Sequence, residues 1–180
     1  MSELKYLAPS PAELRAQVGR LLAEGGLGEA LTRKYPHAHQ IRTDRALYDY
    51  VTDLRGQWLR KAEPLAKVCF DNQLHVVRQA LGTHTAISRV QGGKLKAKRE
   101  IRVAGLFRAG PPEFLRMIVV HELAHLKERE HDRAFYALCT HMEPNYHQLE
   151  FDLRVYLAYL EAGGARLWET SAPPPAGATE

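Results

Sequence analysis

The chain has only two cysteines among its 180 residues, Cys69 and Cys139, and each stands alone. Neither has a neighbour at the spacing of a cysteine zinc site or a redox pair, so those classes are excluded. Isolated cysteines of this kind read as small buried hydrophobes in a reducing compartment, and the expected location is cytoplasmic. No apolar run approaches the length of a membrane span. Met1-Ser2-Glu3-Leu4-Lys5 is followed by no apolar core, so the chain does not open like a secretory signal. There is no glycine-rich phosphate loop of the P-loop type and no internal repeat.

What is present has the balance of an ordinary globular protein, 45% hydrophobic and 26% charged with a formal charge of +4. The length predicts a single domain over 1–170, with a helical N-terminal part over about 1–64 and a core over about 65–162. Residues 171–180, rich in Pro, Ala and Gly, read as a disordered tail.

The most informative segment is His121-Glu122-Leu123-Ala124-His125, with His131 following. Two imidazoles four residues apart share one helix face, one turn from each other. That spacing suits one tetrahedral metal ion, normally zinc. Glu122 is placed to act as a base toward a metal-held water, and His131 supplies a third protein ligand. A fourth position left open marks a catalytic site, because structural zinc sites close with four protein ligands.

With nine histidines in the chain, the five-residue pattern arises by chance with a probability of roughly 4%. A further histidine at one specified place lowers this to roughly 0.2%, which outweighs the alternative of an amphipathic helix with surface histidines. The surroundings agree. Pro111-Pro112-Glu113 is a helix start, and Leu115, Ile118, Val119, Leu123 and Leu126 form an apolar stripe at helical spacing. His131 must leave the helix line to join the other two. In one large group of zinc peptidases a glycine three residues after the second histidine makes that turn. Here Glu128 stands there, and a positive φ would be costly. Either the helix runs on before bending or the turn differs, and the competing third ligand is a later carboxylate, Glu143 or Glu150.

Periodicity predicts helices over 11–24, around 29–34, from the cap Thr43-Asp44 to before Pro64, over about 132–141, and after Pro144 through Leu160. The middle of the chain predicts two β-hairpins. In the first, Ala66–Phe70 and Leu74–Val77 flank Asp71-Asn72; in the second, Thr85–Val90 and Leu95–Val103 flank Gly92-Gly93. The expectation is an α+β domain with a small antiparallel sheet of three or four strands. Arg89, Lys94, Lys96, Lys98, Arg99 and Arg102 crowd one stretch of it. Such a run is most often a solvated face; its functional alternative is a phosphate-binding surface. No aromatic residue is interleaved with it, so nucleic-acid binding is not favoured. Among the remaining histidines, His37 and His39 in a Pro-flanked loop are expected to be exposed. His75 reads as a structural strand residue, His84 as a neighbour of the site only if the second hairpin borders it, and His141 and His147 as candidates to orient a ligand.

The string His121-Glu122-Leu123-Ala124-His125-Leu126-Lys127, then His131, then Phe135-Tyr136, resembles the YgjP-like metallopeptidase domain, and the wider WLM and SprT-type zinc peptidases. The stretches Thr83 to Lys98 and His141 to Asp152 are similar to YgjP proteins specifically, and the likeness runs from about Leu4 to Glu161. One departure is the lack, over Thr83 to Arg89, of a Trp-Gly-Ser-Cys segment common in the broader family. The resemblance implies a minimal zincin fold, His121, His125 and His131 as zinc ligands, and Glu122 as the catalytic carboxylate. It implies peptide hydrolysis first, with residues near Ile101 to Leu106 as a strand to align an extended peptide. The alternative is nucleotide hydrolysis, since YgjP-type proteins are named for UTP pyrophosphate cleavage. The basic stretch would then bind phosphates, and Mg²⁺ could arrive with the nucleotide. A third class, a non-enzymatic binder built on a structural zinc site, gives Glu122 nothing to do.

Overall fold

The computed structural model describes residues 4–74 and 99–169, which form an α+β arrangement of six α-helices and two strands. In chain order these are α1 (Ala12–Ala23), α2 (Leu27–Lys34), α3 (Asp44–Trp58), β1 (Lys67–Asp71), β2 (Glu100–Ala104), α4 (Pro112–Ala124), α5 (Arg133–Met142) and α6 (Tyr146–Glu161). The helices expected from periodicity are found within a few residues of their predicted limits. Gly25, at φ 72°, ends α1 in the left-handed conformation that a glycine adopts without strain. Thr43 caps α3 by accepting the Ala46 N–H at 3.2 Å. The neighbouring Asp44 carboxylate takes the Phe70 N–H at 2.9 Å, which ties the start of α3 to β1.

The helix carrying the histidine motif, α4, is the centre of the molecule. Nine of its 13 residues are buried, and it packs against α5, α6 and β2. A helix apolar on nearly all sides is stable only when neighbours cover every side. Pro112 at its first turn fixes φ and lacks only an N–H that would have no helical partner. The buried cluster around it runs in sequence from Leu7 to Trp168. Trp168 stacks edge-on against Phe114 and Tyr156, and its indole N–H donates to the Tyr35 carbonyl at 2.9 Å. The Tyr35 hydroxyl in turn donates to buried Asp152. Ring packing and these bonds hold the end of the described chain on α4.

The sheet corrects the expectation. β1 and β2 pair in parallel, in register from Lys67 opposite Glu100 to Asp71 opposite Ala104. The hairpin signals were local, and a parallel pair needs a crossover that local turn residues do not encode. A turn does follow β1, where the Asp71 carboxylate accepts the Gln73 N–H at 2.9 Å. The second strand of the first predicted hairpin, most of the second hairpin, and His75 and His84 lie outside the described residues, as do residues 171–180.

His39 is a second correction. It is 7% exposed, whereas His37 is exposed as expected. Its Nδ1 accepts the Ile41 N–H at 3.0 Å, so Nε2 carries the proton and donates to the Phe107 carbonyl at 2.7 Å. The loop looked exposed because Pro and polar residues surround it. The backbone groups that bury His39 come from the turn just before α4, and sequence distance hides them.

Candidate metal centre

The end of α4 brings the motif together. His121 and His125 project from its last turn, and the chain then leaves the helix within a few residues. Leu126 N–H reaches the Leu123 carbonyl, and Lys127 and Glu128 N–H both reach the Ala124 carbonyl. These short-range bonds tighten and stop the helix. No non-glycine residue takes a positive φ among the described residues, so Glu128 needs no left-handed turn. Of the two routes left open by the sequence, the turn therefore differs and the helix does not run on. Asp132 restarts regular structure by capping α5, its carboxylate accepting the Phe135 N–H at 3.0 Å. Caps of this type contribute about 1 kcal/mol. His131, immediately before that cap, is thereby set facing back toward α4.

The Nε2 atoms of the three histidines meet. They are 3.2 Å apart between His121 and His125, 3.0 Å between His125 and His131, and 3.1 Å between His131 and His121. A tetrahedral ion with nitrogens at about 2.0–2.1 Å would hold them ~3.3 Å apart, so the triangle fits one first-row cation. The far side of one ring fixes where its proton sits. His125 Nδ1 lies 3.0 Å from the Glu128 carbonyl, which can only accept. Nδ1 is therefore the donor, and Nε2 faces the centre. His121 Nδ1 lies 2.7 Å from the Tyr146 hydroxyl. Phe135, fully buried, packs on all three imidazoles with ring centroids 5.0, 4.5 and 4.8 Å away.

Glu122 follows His121 on the same turn. Desolvation by the surrounding protein pushes its carboxyl up to about 7. A carboxyl near neutrality can take a proton and return it at working pH. Burial likewise pushes the Cys139 thiol up to about 12 and the Tyr146 phenol well above its ordinary value, so both are neutral.

The other candidates sit elsewhere. Glu143 is engaged by Arg116 at 2.6 Å and by the Asn145 N–H, and Glu150 by Arg154 at 2.7 Å. His141 packs edge-on against Trp58. His147 packs against Tyr136 and Tyr146, one residue along from the group that does touch a ligand. Among the described residues only His121, His125 and His131 form a group able to hold a metal ion. Sequence reasoning missed Tyr146, the Glu128 carbonyl and the ring of Phe135. Phe135 and Tyr146 left a trace there, each only as part of a family string.

Of the basic stretch, Arg89, Lys94, Lys96 and Lys98 lie outside the described residues. Arg102 is paired with Asp71 at 3.0 Å and Glu100 at 3.4 Å. Arg99 donates to the Leu126 carbonyl at 3.3 Å, directly after His125, and lies 3.5 Å from Glu63. The end of the basic stretch thus rests on the turn that follows the metal helix. No helix among the described residues is long and apolar enough to cross a membrane.

Comparison with known proteins agrees with the geometry. The family described as "YgjP-like, metallopeptidase domain" matches residues 71–156, which include all three histidines, Glu122 and Tyr146. A relative from Escherichia coli (strain K12), named UTP pyrophosphatase, is 60% identical over 163 residues, covering 91% of this chain and 98% of its own. No solved structure matches. The chain belongs to the YgjP-like metallopeptidase-domain family.

Proposed function

We propose that this protein is a zinc-dependent hydrolase in which His121, His125 and His131 hold the ion and Glu122 is the base. Family description and relative's name agree on hydrolysis, and the chain is a hydrolase. The observation that carries the metal reading is the meeting of three Nε2 atoms within 3.0–3.2 Å of one another. Three neutral imidazoles suit zinc better than magnesium, which prefers oxygen. When bound, zinc would supply Lewis acidity, lowering the pKa of a water to about 7 and polarising a substrate oxygen. Glu122 takes the proton of the attacking water and passes it to the leaving group. Phe135 and the helix ends keep the imidazoles in place behind this reaction.

For the substrate we place a nucleoside triphosphate first, UTP foremost. The support is the name of the Escherichia coli relative together with the position of Arg99. A cation resting on the turn after His125, at the end of a run of basic residues, suits a polyanion. Magnesium would then enter on the phosphate oxygens of the substrate. A peptide substrate, placed first from the sequence, is supported by the family description. The segment expected to align a peptide, near Ile101 to Leu106, is β2 and the turn after it, and one edge of β2 is taken by β1.

The test offers purified zinc-loaded protein UTP with magnesium, and unfolded casein, in parallel. UTP should be cleaved and casein left whole. The reverse pattern returns the peptide reading, and failure to cleave either sinks the hydrolase.

A further inference from the structure

Resting on the metal reading above, we propose that Tyr146 is the positioning residue for His121. Its hydroxyl oxygen accepts the Nδ1–H of that ring. The pair His121 and Tyr146 joins α4 and α6 through side chains that are 2% and 0% exposed.

Direction follows from donor and acceptor counting. A neutral imidazole carries one proton, and a metal-facing Nε2 must be bare, so the proton sits on Nδ1. That N–H is sealed from water, and an unsatisfied buried donor is costly. The hydroxyl 2.7 Å away is its partner. Deleting the hydroxyl would leave the ring free to move its proton to Nε2, and that tautomer has no lone pair facing the centre.

The three ligands are not held alike. His125 takes its tautomer from a main-chain carbonyl three residues on, which no side-chain substitution removes. His121 takes its own from a side chain on another helix. Outer partners of metal-binding histidines are often carboxylates, which raise ligand basicity. A neutral phenol orients the ring without adding the negative charge that a carboxylate partner would bring to a bound ion.

The test is Tyr146→Phe, which keeps the ring and loses the oxygen. Zinc affinity, measured by chelator competition, should fall ~10–100-fold. The melting temperature of the metal-free protein should stay near wild type, because without metal His121 can change tautomer. Should Tyr146→Phe fail to fold, nitrogen-15 NMR of zinc-loaded wild type decides: His121 Nδ1 should carry a slowly exchanging proton. A bare Nδ1, or zinc affinity in Tyr146→Phe equal to wild type, overturns the inference and leaves the metal site standing. A wild-type chain that takes up no zinc removes both.

Discussion

His39 and His121 are both buried histidines with a hydrogen bond at each face, yet the surroundings give them opposite characters. At His39 one ring nitrogen donates to Phe107 and the other accepts from Ile41, so protein groups satisfy the whole ring. At His121 one nitrogen meets Tyr146, and the other meets two more nitrogens of the same kind. Nitrogen lone pairs repel, and neutral rings cannot all share protons in such a triangle. Burial alone therefore does not mark a ligand. The mark is three ring nitrogens of one kind meeting at one point, an arrangement that suits a shared cation.

The contrast predicts very different losses. Glu122→Gln should lower turnover by about 10²–10⁴-fold, the range for a positioned acid or base, while zinc content is unchanged. Full turnover in this variant would remove Glu122 from the chemistry. The same substitution should act oppositely on the metal-free fold. The folded carboxyl titrates near 7 against an ordinary value of 4.5, so the folded state holds the extra proton between them. In the metal-free protein this carboxyl therefore contributes stability that is lost as pH rises through that window, a component that Glu122→Gln lacks. Next comes His131→Ala, which leaves two nitrogens of the triangle. Zinc affinity should drop by more than the ~10–100-fold that loss of an outer partner costs. Zinc retained after dialysis would hand the third place to another group.

The site was more legible than the sheet, for a physical reason. His121, Glu122 and His125 are fixed by the helix repeat itself, and Pro112 announces the start of that helix. His131 needed only a short turn, and Asp132 carries the signal of the next helix in its own side chain. Tyr146 was illegible because its partner is 25 residues away on another helix, and a tyrosine near a helix start has no local signature. The β1–β2 pairing failed for a related reason. Asp71-Asn72 signals a turn and a turn is there, but what lies beside β1 depends on a crossover. His39 was misjudged from its prolines, since Phe107 and Gly110 bury it from the far side of the sequence.

The smallest effect, and the sharpest on the comparison, belongs to His39. Replacing it by Phe fills similar space but strands the Ile41 N–H and the Phe107 carbonyl, so stability should fall by roughly 1–3 kcal/mol per stranded group. Zinc binding should be untouched, because the bonds of His39 stay within the loop and the turn before α4. Its pH behaviour carries a definite sign. Burial holds the folded imidazole below its ordinary value of 6.5, with the neighbouring Arg42 charge pushing the same way. As pH falls below 6.5 the unfolded chain takes the proton first, so this ring adds to the loss of stability on acidification. The Phe variant lacks that component, and the gap in melting temperature between the metal-free proteins should narrow from pH 7.5 toward more acid pH. A gap of constant width would mean that His39 titrates alike in both states, and the closed ring described here would not be what holds that loop.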